Sequence, residues 1–172
     1  MIPYLNLKKL NEPYQEAFLE KTKLFFNKGH YILGDEVLKF EEEFADYCNV
    51  SHCIGVGNGL DALILIFKAY LELGILKEGD EVIVPANTYI ASILAITENS
   101  LKPVLVEPDP ISFNLCPVKI TAAITPKTKA IVPVHLFGRA ANMDAIMDLA
   151  KEHNLFVIED NAQAIGANYT AA

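Results

Sequence analysis

Gly57-Asn58-Gly59-Leu60-Asp61 sets two glycines and a short amide at the head of an apolar segment of helical period. A helix opening there presents free backbone N–H groups and the positive end of its dipole, a combination that suits a phosphate. Glycines also make tight strand-to-helix turns with no ligand, and this turn by itself does not choose between the two. A dinucleotide fold prefers G-x-G-x-x-G and an acid at the end of the second strand; here the pattern breaks after Gly59 and that run ends in Pro85. A second signal is Asp160, which follows the apolar run Phe156-Val157-Ile158. A carboxylate there is costly to bury unless a cation meets it, and a protonated pyridine nitrogen is such a cation; the alternative is a helix-capping Asp. Gln163 could bond a ring hydroxyl or simply be solvated. Tyr89, opening a helix, could stack on a flat ring or belong to the core.

The elements that must position these residues follow from hydrophobic periodicity. Short runs rich in Val and Ile at residues 53–56, 81–84, 103–106, 130–134 and 155–158 alternate with segments of helical period, which is the signature of βαβ units on a parallel sheet covered by helices on both faces. Residues 60–71, 88–97 and 142–153 read as the helices between them. Gly74 is a C-terminal stop and Asn142 a cap, with Met143, Ile146, Met147 and Leu149 or Ala150 turned inward. Two amphipathic helices, residues 13–27 and 36–47, precede the sheet; Gly29 ends the first and Asp35 caps the second. Residues 165–169 read as a further short strand, and a sheet ending there would leave an unprotected edge. The fold class is therefore α/β, a three-layer α/β/α arrangement with a mostly parallel sheet, read as one domain. In such sheets ligands bind beyond the carboxyl ends of the strands. Those positions are polar: the glycine turn, Asn87-Thr88-Tyr89, Glu107-Pro108-Asp109, His135, and Glu159-Asp160-Asn161-Ala162-Gln163.

Composition narrows the function classes. A chain of 172 residues with 52% hydrophobic content buries one substantial core. Acids outnumber bases 22 to 14, for a net charge of -8, which argues against a phosphate-backbone partner. No signal peptide or membrane-length apolar run is present, so cytoplasm is expected and no membrane partner. Cys48, Cys53 and Cys116 are expected as reduced, mostly buried thiols, and His30, His52, His135 and His153 do not form a metal set by spacing. For His135, packing or local hydrogen bonding is the expected role.

Phosphate turn, aromatic and strand-end Asp occur in one order, and around them stand Gly-His-Tyr-Ile-Leu-Gly from Gly29, Phe-Glu-Glu-Glu-Phe-Ala from Phe40, Gly-Asn-Gly-Leu-Asp-Ala-Leu from Gly57, Gly-Asp-Glu-Val-Ile-Val-Pro-Ala-Asn-Thr-Tyr from Gly79, Lys-Ala-Ile-Val-Pro-Val-His-Leu-Phe-Gly from Lys129 and Val-Ile-Glu-Asp-Asn-Ala-Gln-Ala from Val157. Over nearly its whole length the chain resembles the DegT/DnrJ/EryC1/StrS family of nucleotide-sugar aminotransferases, within the fold type I pyridoxal-phosphate enzymes.

The resemblance implies that Asn58, Gly59 and Leu60 hold the phosphate of pyridoxal 5'-phosphate, Tyr89 stacks on its ring, Asp160 pairs with the ring nitrogen, and Gln163 faces the phenolic oxygen. Many relatives read Ser-Gly-Thr where this chain has the Asn58 turn, so backbone rather than hydroxyl contacts to phosphate are expected. His30 and Tyr31 are implied to border the substrate site. The implied reaction adds an amino group to a nucleotide-linked keto-sugar from an amino-acid donor such as glutamate, in cell-surface polysaccharide or deoxysugar biosynthesis, by a homodimer. The Schiff-base lysine is expected beyond residue 172. Residues 1–172 are accordingly expected to be part of the large cofactor-binding domain, with N-terminal helices at about 13–48 and the small C-terminal domain absent. Such a piece is expected to be inactive, to bind cofactor weakly or not at all, and to expose an apolar patch that promotes self-association. A sugar dehydratase of the same family, with histidine for the lysine, and a non-catalytic nucleotide-sugar or partner-binding domain are the alternatives.

Overall fold

Gly29 takes a left-handed φ of 68° and ends the helix Gln15–Lys28, a conformation that costs a residue without Cβ nothing. The computed structural model describes residues 3–170; its contacts divide the chain into two units, residues 1–55 and 56–172. The first unit holds α1 (Leu7–Asn11), a 3-10 turn, α2 (Gln15–Lys28) and α3 (Asp35–Cys48). The N-cap of α3 is Gly34, with no side-chain bond, and Asp35 is the first helical residue. Asp35 is thus not the expected cap. Lys28 lies 3.4 Å from its carboxylate, leaving it engaged with the preceding helix.

In the second unit Val82, Ile83 and Val84 are all fully buried. Successive strand side chains point to opposite faces, so this strand needs cover on both sides. Four parallel strands, β1 (Glu81–Pro85), β2 (Lys102–Val106), β3 (Thr128–Ile131) and β4 (Phe156–Val157), lie in the order β2-β1-β3-β4. Over one face run α4 (Gly59–Glu72) and α5 (Ile90–Glu98), whose Leu63, Phe67, Ala95 and Ile96 join Val82 and Val84 in one core cluster. Over the other run α6 (Pro117–Ala123) and α7 (Met143–His153), whose Ile120, Ile146 and Ala150 cluster with Ile83 and Ile131. This is the expected three-layer α/β/α arrangement.

Several expectations are corrected. Residues 53–56 form no strand: Ile54 is 79% exposed, and the Gly55 N–H donates to Glu41 Oε1 at 2.7 Å instead of a ladder. A short apolar run does not by itself distinguish a strand from an extended connector. Residues 165–169 form none either, because Gly166 turns the chain at φ 81°. The ladder of β3 stops at Ile131 because Pro133 has no N–H to give, and pairing resumes as a parallel bridge between Val134 and Asp160. Only β1 is buried along its whole length; β2 exposes Lys102 and Leu105 as an edge strand does. Met147 is 51% exposed rather than turned inward. Cys48 is exposed, and Cys53 and Cys116 are half-buried rather than core.

Candidate functional site

Asp160 stands at the carboxyl rim of the sheet because the backbone keeps pairing past the regular ladder. Its N–H donates to Pro133 O at 2.9 Å and its carbonyl accepts from His135 N–H at 3.2 Å. Beyond this rim lies a cavity of about 540 Å³ whose lining includes Asn58, Gly59, Leu60, Tyr89, Asp160 and Gln163. All six residues that the sequence singles out for the cofactor thus face one space. His30 and Tyr31 lie in the connection between α2 and α3, in the N-terminal unit, where the Tyr31 hydroxyl donates to Phe26 O at 3.3 Å.

The glycine turn enters α4 through a capping amide. Asn58 Oδ1 accepts the Asp61 N–H at 2.9 Å, and Asn58 Nδ2 donates to Asp61 Oδ2 at 2.9 Å. The cap satisfies the third N–H of the helix, while those of Gly59 and Leu60 precede any intrahelical acceptor. Both residues line the cavity. At Gly57 a Cβ would meet Asp61 Oδ2 at 2.7 Å, whereas at Gly59 it would meet nothing within 4 Å. The first glycine therefore serves the turn, and the second leaves an open approach to the helix end.

Tyr89 is 74% exposed at the N-cap position of α5, so the core reading of its ring falls. The half-buried Asp160 carboxylate accepts from the Ser92 hydroxyl at 2.8 Å and from the Ala162 N–H at 3.2 Å. Its capping role reaches only that short turn. Among the described residues no Lys, Arg or His forms an ion pair with it. Gln163 Oε1 accepts the Phe137 N–H at 2.8 Å; this fixes the amide and leaves its NH₂ group as the donor still to be used.

His135 packs and hydrogen-bonds rather than lining the cavity. It is buried, its Nδ1 accepts the Ala141 N–H at 3.0 Å, and its Nε2 lies 2.8 Å from Glu159 Oε2. The hydrogen bond from His135, more than any other effect, holds the Glu159 carboxyl below the usual range. Asp109 folds its own loop by accepting the Ile111 and Ser112 N–H groups at 3.0 and 2.8 Å, and these bonds, those of Ser112 foremost, lower its pKa.

Two contributors, Ser92 and Asn114, escape the sequence reading. Ser92, 1% exposed, holds Asp160, and Thr88 lies 3.0 Å from Ser92 and lines the cavity. The available signal was a lone hydroxyl one turn after Tyr89 on an otherwise apolar helix face. Asn114, also 1% exposed, donates to Arg139 O at 2.8 Å and accepts the Leu136 N–H at 3.1 Å, bracing the loop after β3. Its partners lie over twenty residues away, and nothing local marks it.

Residues 13–171 match the model of the DegT/DnrJ/EryC1/StrS aminotransferase family. The chain is 54% identical over 169 residues to a dTDP-3-amino-3,6-dideoxy-alpha-D-galactopyranose transaminase of Aneurinibacillus thermoaerophilus, covering 98% of this chain and 46% of that protein. NtdA of Bacillus subtilis, solved with bound cofactor PMP, superposes with a TM-score of 0.89 at 35% identity over 96% of this chain and 37% of its own. An E. coli GDP-4-keto-6-deoxy-D-mannose-3-dehydratase with bound hydrated PLP superposes with a TM-score of 0.81 at 27% identity, covering 86% of this chain and 39% of its own. The chain therefore spans under half the length of the proteins it matches.

Proposed function

We propose, from the premise that this chain belongs to the DegT/DnrJ/EryC1/StrS aminotransferase family, that its cavity holds pyridoxal 5'-phosphate and that the whole protein transfers an amino group to a nucleotide-linked keto-sugar. One observation carries the reading: a half-buried carboxylate with no basic partner among the described residues, Asp160, and a helix N-terminus with free N–H donors, at Gly59 and Leu60, share one cavity. A carboxylate there suits a protonated ring nitrogen, and the helix end suits a phosphate. Tyr89 offers a ring face, and the NH₂ group of Gln163 is turned by Phe137 to donate toward a phenolic oxygen. When bound, the cofactor supplies an electron sink for carbanion chemistry.

What these residues contribute is binding, orientation and charge complementarity. No lysine is among the residues that line the cavity, so the proton transfer that the family resemblance gives to a lysine is assigned to the whole protein and the holding of the cofactor to these residues. Residues 1–172 are read as part of the large cofactor-binding domain, and the whole protein as a cytoplasmic homodimer. No described helix is long and apolar enough to cross a membrane.

The test is amino transfer from glutamate to nucleotide-linked keto-sugars by the whole protein, read by mass spectrometry. Absence of transfer to every such sugar sinks the proposal. The likeness to the dehydratase structure supports a second reading, in which a hydroxyl is removed; a deoxygenated, amine-free product identifies it. Calorimetry separates both from a non-catalytic role, since loss of pyridoxamine phosphate binding on Asp160→Ala marks a cofactor site and nucleotide binding indifferent to that change marks the alternative.

A further inference from the structure

Three hydroxyl and carboxyl groups form a line into the cavity: Thr88 Oγ1 lies 3.0 Å from Ser92 Oγ, and Ser92 Oγ donates to Asp160 Oδ2 at 2.8 Å. A carboxylate only accepts, and a hydroxyl has a single proton. Ser92 therefore spends its proton on Asp160, and its oxygen is left to accept the proton of Thr88. The direction of the chain is fixed as Thr88 to Ser92 to Asp160.

The elements explain why this works as a clamp. Thr88 lies just before the extended N-cap Tyr89 and Ser92 in the first turn of α5, so the entry to the helix brings their hydroxyls to 3.0 Å, and Ser92 is 1% exposed. Asp160 comes from a different element, the strand-end bridge to Val134. Its second oxygen is taken by the Ala162 N–H at 3.2 Å. One bond from a helix that packs on the sheet and one from its own turn thus hold both carboxylate oxygens, and the carboxylate cannot rotate without breaking one.

We propose that Ser92, with Thr88 behind it, is a positioning residue that sets the orientation of the Asp160 carboxylate toward a protonated ring nitrogen in the cavity. The inference rests on the cofactor reading above and deepens it: neither residue need touch the ring, yet both decide how well Asp160 meets it. Because Ser92 lies out of reach of solvent, water does not replace its hydroxyl without rearrangement.

The test uses the whole protein, pyridoxamine 5'-phosphate as probe, and two readouts: affinity by calorimetry, and the pH at which the bound probe, ¹⁵N-labelled in the ring, loses its ring proton. The lost bond is one to a charged group, so Ser92→Ala is expected to weaken binding roughly tenfold or more and to move ring deprotonation to lower pH. Ser92→Thr, which keeps the hydroxyl, restores both; Thr88→Val moves both in the same direction by less. If Asp160→Ala leaves affinity unchanged, the cofactor reading itself fails. If Asp160→Ala weakens binding while Ser92→Ala changes neither readout, the clamp is wrong and the site stands. Should Ser92→Ala not fold, Thr88→Val decides, and an unchanged ring titration in that variant overturns the proposal.

Discussion

His135 Nε2 donates to Glu159 Oε2 over 2.8 Å, while Nδ1 of the same ring accepts the Ala141 N–H at 3.0 Å. The backbone donor at Nδ1 fixes the tautomer, so the ring proton sits on Nε2 and points at the carboxylate. One buried ring therefore ties the end of β3 both to the segment carrying Asp160 and to the entry of α7. Replacing His135 by Ala leaves the Ala141 N–H buried and unpaired, at a cost of about 1–3 kcal/mol. Urea denaturation at pH 7 measures it, and an unchanged midpoint contradicts the role. Glu159 adds a pH signature. Its folded pKa is lowered below the ordinary 4.5, chiefly by the bond from His135, so its contribution is complete above that value and is lost as pH falls through the lowered one. Glu159→Gln should lower Tm at neutral pH and converge on the parent as pH falls through that lowered value.

At the glycine turn, Gly57, Asn58 and Asp61 form one device. Asn58→Ala removes the cap and should cost about 1 kcal/mol. Gly57→Ala pushes a Cβ to within 2.7 Å of Asp61 Oδ2, which displaces the carboxylate that Asn58 Nδ2 holds. Because both changes act through Asp61, their costs should be clearly less than additive in a double-mutant cycle. Gly59→Ala meets nothing within 4 Å and should leave stability unchanged or raised. Full additivity of the first pair would show that Gly57 acts elsewhere.

The layers and the cavity-lining residues are legible in the sequence because they rest on periodicity and on positions fixed by topology. The uniform run at β1 announces a strand buried on both faces, and a residue directly after a strand reaches the carboxyl rim whatever the loop does. What escapes depends on partners distant in sequence. Residues 53–56 carry a strand-like composition, but whether they pair depends on a neighbouring strand, which an apolar run does not encode. Ser92 and Asn114 act through groups 68 and 22 or 25 residues away, and their local context is that of any small polar residue on an apolar element. The three cysteines read as core from residue type, yet their places at a helix end or in connections leave them accessible.

Glu81 sits at the opposite end of the sheet from the cavity and shows a second acid-sensitive contact. Its buried side chain accepts from the Thr125 hydroxyl at 2.6 Å and from Lys102 Nζ at 2.9 Å. These bonds, that of Thr125 foremost, lower its pKa from the ordinary 4.5. Its folded value lies below its unfolded value, so its contribution is complete above the unfolded value and disappears as pH drops through the folded one. Glu81→Gln should lower Tm at pH 7, with the gap to the parent closing as pH falls. Thr125→Val should reproduce part of the effect without altering cofactor affinity, because the contact is remote from the cavity. A gap that widens toward acid refutes this assignment.

Phe137 holds a left-handed backbone, φ 58° and ψ 26°, although its side chain is 78% exposed. A bulky residue there costs about 1–3 kcal/mol, and the ring's contact with Phe113, at 6.5 Å and edge-on, returns little of it. The conformation nevertheless aims the Phe137 N–H at Gln163 Oε1. Phe137→Gly keeps that N–H and relieves the strain, so stability should be unchanged or higher by up to about 1 kcal/mol, with the Gln163 side-chain amide signals in NMR unaltered. Phe137→Pro removes the donor and forces φ toward about −65°; the Gln163 amide should then lose its fixed orientation and its signals should broaden. Gln163→Glu separates holding from function, because its carboxylate still accepts from Phe137 but has no NH₂ to donate. That variant should fold normally and bind pyridoxamine phosphate more weakly. Undiminished binding would show that the amide donor is not what the cavity uses.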